Sequence, residues 1–502
     1  MKHIKYLLFI VVSFNLISCE DYIDNEITGK QNSENYYSNF SEVDKAVTGC
    51  YAALSPQDWW QTDFFWMVGD ICSDDAFKGN SNEGDQRDFG NLANFNITAS
   101  NEWLDSKWRY SYQGIFRCNL AIERIPLAPI DEKEIITLVA EAKFIRAVFY
   151  FELVKNWGGV PLLTQAISVS DANLEKSTEA EIWAQIEQDL NDAKDILPMK
   201  SEVSASNIGR ATRGAAYAYL AKAALYQKKY SEAQSIAYSV VTSGEYNLND
   251  SFENVWSVSN PNGNGSIFEI QNSYHELFDA GSALPVLSRS RADGGWGFCT
   301  PSSNLDNFMG DDPRREHTII KQGDYVDEEH PSYDTGVNEN MSGRINKKYY
   351  LSMTDRPEKS EHTRSPLNHI LLRYADLLLM HAEAAYHNGD ESAALNSLNE
   401  VRTRVGLDNL LATGQGLIDA IFDERRLELA MEGHRYYDLK RSDRLSNAMD
   451  KFRNYNLNES TDLYDAGNDE GKYYNAAIHS LFPIPQSEID LSQGRIIQNT
   501  GY

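Results

Sequence analysis

The sequence predicts a mainly helical fold, in which tetratricopeptide-like helix pairs form a scaffold and long ordered loops with a few short strands carry the binding surface. Three observations lead there. Residues 215–241 and 376–402 superpose when one is shifted by 161 positions (382 − 221), which brings Ala221 onto Ala382, Ala224 onto Ala385, Ala233 onto Ala394 and Val240 onto Val401. Small residues at these positions let two antiparallel helices approach closely. Residues 69–104 and 246–368 have the opposite texture, rich in Gly, Asn, Asp, Ser and Pro, which is the composition of loops. Within the second of these, Ser266 to Ile270 alternate as a short strand would.

The remaining elements follow in order. Val43, Ala46, Val47, Cys50 and Tyr51 share one face of a first helix. A long helical stretch spans about 105–156 and stops at Gly158, Gly159 and Pro161. The run AEIWAQIEQDLNDAKDILP is a further amphipathic helix closed by Pro198, and residues 140–198 and 417–441 are degenerate copies of the helix pair. Since two clean repeats are too few to stand alone, these copies or the rest of the chain complete the stack.

The N-terminus carries an address. Lys2 and Lys5 precede a mainly apolar region of 11 residues, Tyr6 to Leu16 (16 − 6 + 1), too short to span a bilayer, so residues 1–18 are expected to be a signal peptide. It ends at Leu16-Ile17-Ser18-Cys19, the pattern of a lipobox, which makes Cys19 the expected lipidation site and residues 19–40 an acidic tether. The body then divides into 41–245, a helical region, and 246–502, which contains the loop-rich insert 246–368. The two are expected to form one interwoven unit.

Composition narrows the partners. The net charge is −28, and loss of Lys2 and Lys5 with the signal takes it to −30 (−28 − 2). So acidic a chain repels nucleic acid and anionic headgroups, and membrane attachment is expected only through the lipid. Cys50, Cys72, Cys118 and Cys299 are widely spaced and form no zinc pattern, and no metal or cofactor is expected.

Catalytic motifs are likewise missing: there is no GxSxG elbow, Walker A loop or HExxH pair. Asp74 with Asp75, and Asp311 with Asp312 and Glu316, do not fit a glycosidase, because adjacent aspartates seldom span the ~5–9.5 Å that such chemistry needs. The string Asp423 to Arg441 reads as an ion-pair network between helices. Sugar binding needs flat aromatic faces with polar side chains beside them. Two loop regions offer both: Asp74, Asp75, Phe77, Arg87 and Trp103 in one, and Tyr274, His275, Phe278 and Trp296 in the other. Trp59 and Trp60 either join the core or face a partner.

Together, the lipobox, EAKFIRAVFYFELVKNWGGVPLL, GRATRGAAYAYLAKAALY, LLRYADLLLMHAEAA, IFDERRLELAMEGHRYYDLKRSD and the terminal LFPIPQSEIDLSQGRIIQNTGY resemble the SusD/RagB lipoproteins over essentially the whole chain. The resemblance implies a non-catalytic, lipid-anchored outer-membrane protein facing the cell exterior. It would bind a polysaccharide or oligosaccharide, or a peptide as some relatives do, and deliver it to a TonB-dependent SusC-like transporter. In that family, acidic residues behind the lipidated cysteine favour export to the surface, and Glu20, Asp21 and Asp24 fit. The alternatives are a surface glycoside hydrolase and a tetratricopeptide-type scaffold that binds only proteins.

Overall fold

Asn39 opens the first helix by accepting a hydrogen bond from the Glu42 N–H, and α1 (Phe40–Ala52) buries Val43, Val47 and Cys50 along one stripe. Such caps satisfy amide groups that the helix itself leaves unpaired. The computed structural model describes residues 36–55, 65–167, 175–276, 280–358, 362–463 and 471–502. Cys19, Trp59, Trp60 and Phe278, with the signal peptide and most of the tether, lie outside these.

The long helical stretch is two helices, α2 (Glu102–Arg124) and α3 (Glu132–Trp157), each with its own acceptor cap, Asn101 and Asp131. Pro126 and Pro129 in the intervening turn remove amide donors, so one continuous helix cannot form. Gly114 lets α2 and α3 touch, since a Cβ there would lie 2.2 Å from the Phe149 ring. Next come α4 (Glu179–Lys194), opened by a Thr178–Glu181 capping box, α5 (Arg213–Tyr226) and α6 (Tyr230–Val241). The second half supplies α7 (Tyr374–His387), α8 (Glu391–Arg404), α9 (Gly414–Leu429), α10 (Arg435–Arg441) and α11 (Leu445–Asn458).

Helices α2 to α8 stack each on the next, and α6 packs directly on α7 although some 130 residues separate them (374 − 241 = 133). The two repeat copies legible in the sequence are thus neighbours in one stack. Alanines 215, 216, 218, 221, 223 and 224 are buried on all sides of α5. Phe144 and Phe151 of α3 meet Tyr219 of α5 edge-on, at centroid distances of 5.6 and 5.9 Å. Burying each such phenyl ring contributes roughly 1.5–3 kcal/mol.

The strands form three two-stranded antiparallel pairs: β1 (Ala76–Phe77) with β3 (Thr300–Pro301), β2 (Ser266–Ile270) with β6 (His369–Arg373), and β4 (Ile319–Lys321) with β5 (Arg344–Asn346). The pair β2–β6 ties the second loop region to α5 and α7, while β1–β3 joins the two loop regions to each other. The C-terminal segment also folds back on α3, where Trp157 donates to the Pro483 carbonyl at 2.9 Å and Asn499 to the Trp157 carbonyl at 3.1 Å. The C-terminal segment is thereby bound to the end of α3.

Candidate functional site

Four of the sequence-selected residues are closed off from any ligand. Phe77 sits in β1 with 0% of its surface exposed, 5.9 Å from the Phe452 ring. Trp103, in the first turn of α2, is buried edge-on against Phe89. Both rings interrupt polar sequence, but strand pairing and the helix cap turn them inward. Asp74 and Asp75 are buried beneath two arginines far along the chain: Arg435 lies 2.8 Å from Asp74, and Arg426 lies 2.7 Å from Asp75.

Burial alone would raise the Asp74 carboxyl, but Arg426 and Arg435 outweigh it and hold it below the ordinary carboxylate range. For Asp75 burial prevails over Arg426, and the negative charge of Asp74 adds to the rise. Two carboxyls with opposed shifts are what a glycosidase uses. Here both are inaccessible and bound by guanidinium groups, so the pair serves as structural cement. Asp312 is similarly consumed, 2.8 Å from Arg314.

The Asp423–Arg441 string does form a network. Arg314 is wholly buried between Glu424 (2.6 Å), Glu428 (3.0 Å) and Asp312. Arg373 joins Glu428 (2.5 Å) and Glu432 (2.7 Å), Arg425 joins Asp438 (2.9 Å), and Arg441 joins Glu383 (2.5 Å). Arg314 thereby ties the loop-rich insert, and Arg373 strand β6, to the acids of and just beyond α9, while the last two pairs join α9 to α10 and α10 to α7.

Above this base, the two loop-rich regions become one surface. The Cys299 N–H donates to the Lys78 carbonyl at 2.7 Å, Ser81 to Glu339 at 2.8 Å, and Met341 to Gly79 at 2.8 Å. Gly79 is required at this crossing: its φ is +110°, and a Cβ would lie 2.3 Å from the Gly297 carbonyl. Arg291 bridges to Asp85 across the same seam. Asp293 braces the neighbouring loop by holding both Arg356 nitrogens at 2.8 Å and the Tyr333 hydroxyl at 3.1 Å.

Arg87 opens the short helix Arg87–Ala93 on this surface. It lines a recess of about 300 Å³ together with Asn91, Asn94, Asn96, Met341 and Tyr473. Tyr473 is 50% exposed, and its N–H is held by the Asn94 carbonyl at 3.0 Å, so the backbone beneath the ring is fixed. Lys78 also reaches the recess, but its ammonium is spent on the carbonyls of Asn82 (2.7 Å) and Asp85 (3.0 Å). Arg87 has no ion-pair partner among the described residues.

The other aromatics lie along the same loops. Trp296 is half-buried, edge-on to His362 at 5.8 Å. Two residues on, Arg364 donates to the Glu276 carbonyl at 3.0 Å and so brings in the segment with Tyr274 and His275, both exposed. Ser273, beside Tyr274, lines a larger cleft of about 670 Å³ with Gln113, Arg117, Ile208 and Gln271. Tyr473 was missed in the sequence, although KYYN satisfies the criterion that selected Tyr274: an aromatic in polar sequence without helical period.

Among the described residues, no group of three or more His, Cys, Asp or Glu side chains is placed to hold a metal, and no helix is long and apolar enough to cross a membrane. Cys50, Cys72, Cys118 and Cys299 are free and buried.

Comparison with known proteins agrees with this architecture. The chain is 27% identical to SusD-like protein P2 of Formosa agariphila, with 100% of each chain covered, and 25% identical to a SusD-like protein of Bacteroides ovatus, covering 87% of this chain and 82% of that one. A solved laminarin-binding SusD-like protein superposes with a TM-score of 0.80 at 29% identity, covering 93% of this chain and 100% of its own. Surface glycan-binding protein A from Bacteroides fluxus gives 0.78 at 26%, with coverage of 93% and 100%. Both solved relatives bear the names of binding proteins. Residues 21–225 match a family described as starch-binding associating with outer membrane, and residues 233–502 match the one described as SusD family. The chain belongs to the SusD family.

Proposed function

We propose that this protein is a non-catalytic, lipid-anchored capture protein that holds a glycan on its loop face and delivers it to a TonB-dependent outer-membrane transporter. The observation that carries the reading is the recess at Arg87, Asn96 and Tyr473. A pyranose presents apolar C–H faces and a rim of hydroxyls. The first suits the Tyr473 ring, and the second suits the Arg87 guanidinium and the Asn96 side-chain amide, which have no hydrogen-bond partner among the described residues. Trp296, Tyr274 and His275, elsewhere on the loop regions, offer further flat faces for a chain of several sugars.

Relatives named for laminarin and for surface glycans make laminarin the first ligand to test. The recess is open and shallow, which suits capture followed by release. Lipidation at Cys19 supplies the outer-membrane anchor in this reading, and the acidic body makes no electrostatic contribution to it.

The test runs the mature chain carrying Cys19→Ser through native gels containing laminarin and a panel of other polysaccharides, with the mixtures assayed for new reducing ends. Retardation without new ends is the expected result. New ends from a preparation free of contaminating enzyme would establish a hydrolase instead, and no retardation by any polysaccharide would overturn the glycan reading.

A further inference from the structure

The two repeat copies leave a surface that the loop face does not use. Their first helices, α5 and α7, are buried over most of their length. Their second helices, α6 and α8, flank a groove of about 630 Å³ with His381 of α7 at its floor. The groove shares no lining residue with the recess at Arg87.

Tyr238 forms one wall. Ala233, Ala237 and Val240 turn the inner side of α6 toward the core, which leaves Tyr238 outside at 55% exposure. Its ring stacks on His381, with centroids 5.6 Å apart and planes inclined by 27°. His381 is itself buried and held, its Nδ1 lying 2.8 Å from the Ser397 hydroxyl of α8. One face of the tyrosine is therefore backed by a fixed imidazole while the other is open. A ring immobilised before binding loses little side-chain entropy when a ligand covers it.

Polar groups complete the groove. Ser231 and Ser235 share the Tyr238 side of α6 at helical spacing, and Asn396 is exposed on α8. Their hydroxyls and amide have no hydrogen-bond partner among the described residues. The two acids that line the groove are engaged. Asp390 accepts from the Ala393 N–H at 3.1 Å and from the Gln234 amide at 3.2 Å, and Glu400 accepts from the Tyr374 hydroxyl. No lysine or arginine lines the groove, so a carboxylate, sulfate or phosphate meets no counter-charge there. A lone exposed tyrosine needs no explanation, but a rigid open ring beside unclaimed neutral donors is what an uncharged pyranose requires. We propose that this groove is a second glycan site, for a segment of uncharged sugars, on the helical frame and separate from the loop face. With one ring it binds weakly alone, and the two sites together retain a polysaccharide far better than either does.

This inference rests on the glycan reading, and the experiment tells the failure of one from the failure of the other. The mature chain carrying Cys19→Ser is the parent, compared with its Tyr238→Ala, Tyr238→Phe, Asn396→Ala and Tyr473→Ala variants. Each is titrated calorimetrically with laminarihexaose and run in native gels containing laminarin, or with whichever uncharged polysaccharide retards the parent and its hexamer. The expected result is two equivalents of hexamer for the parent and one for Tyr238→Ala, whose remaining site keeps its affinity. Retardation should fall several-fold with Tyr238→Ala and return with Tyr238→Phe, at an unchanged melting temperature. Should Tyr238→Ala unfold early, Asn396→Ala, which removes an exposed side chain, should show the same selective loss. Parent-like stoichiometry and retardation in both Tyr238→Ala and Asn396→Ala would overturn the second site and leave the loop face standing. So would a single equivalent in the parent that Tyr473→Ala removes. No binding of any polysaccharide by the parent would overturn both readings.

Discussion

The arginines beneath the loop face and the one upon it have opposite surroundings. Arg314 is wholly buried among Asp312, Glu424 and Glu428, and Arg426 and Arg435 lock Asp75 and Asp74. Arg87 stands exposed at the recess with Tyr473 and Asn96, without an ion-pair partner among the described residues. Charge in the first setting is committed to geometry, since a buried ion left alone is costly. In the second it is available to a ligand. The difference separates residues that build the face from residues that use it, and substitutions should divide along the same line.

The largest effect is expected at Glu428, which joins Arg314, Arg373 and Arg404. Glu428→Ala leaves three guanidinium groups short of a partner and should cost about 3–5 kcal/mol in denaturant unfolding. A loss under about 1 kcal/mol would mean that the network does not clamp the loops.

Acid should weaken the frame next. Burial lowers His369 to about 3 and His434 to about 4 from the ordinary 6.5. The folded state therefore holds both neutral while the unfolded chain takes up protons below pH 6.5. Their contribution is complete above that pH and is lost as pH falls through 6.5, toward 4 for His434 and toward 3 for His369, by on the order of several kcal/mol in total. The depressed carboxyls, Glu428 and Asp376 among them, add their loss at still lower pH. His369→Gln should flatten the upper part of the profile in a pH series of thermal melts. An unchanged slope would show that this imidazole titrates alike in the folded and unfolded chain.

On the face, effects should move from stability to binding. Tyr473→Ala should lower glycan affinity roughly tenfold, on the scale of one lost aromatic platform, with the melting temperature unchanged. Arg87→Ala should cost somewhat less, on the order of 1 kcal/mol for an exposed donor. Tyr274→Ala, farther along the surface, should reduce retention only by a few-fold and chiefly for longer oligomers. Equal weakening for short and long ligands would place Tyr274 in the same subsite as Tyr473.

The helical frame was legible because its signal is local. Alanine spacing in 215–241 and 376–402, and the stop signals at Gly158, Gly159, Pro161 and Pro198, depend on neighbours within a few turns. The loop regions were legible as a texture, but which side chains face outward was not. Asp74 and Asp75 are buried by Arg426 and Arg435, some 350–360 positions away, and Phe77 by a strand pair with Thr300. Exposure is decided by such distant partners, and no local pattern reports it. Tyr274, His275 and Arg87 do reach the surface, while Tyr473 stands outside both loop-rich regions, in a C-terminal stretch that only the fold brings to the recess. The Asp423–Arg441 string was readable as a network because its charges recur at helical spacing, but its partners Arg314, Lys348 and Arg373 were not.

The central claim is that free groups on the loop face, and not the paired charges below it, hold the ligand. Its most direct test is calorimetric titration of wild type and Tyr473→Ala with laminarihexaose, or with an oligomer of whichever polysaccharide retards the wild type, on samples of matched melting temperature. The account predicts a roughly tenfold weaker Kd for the variant at equal stability. Identical affinity would contradict it and move the binding surface away from the recess.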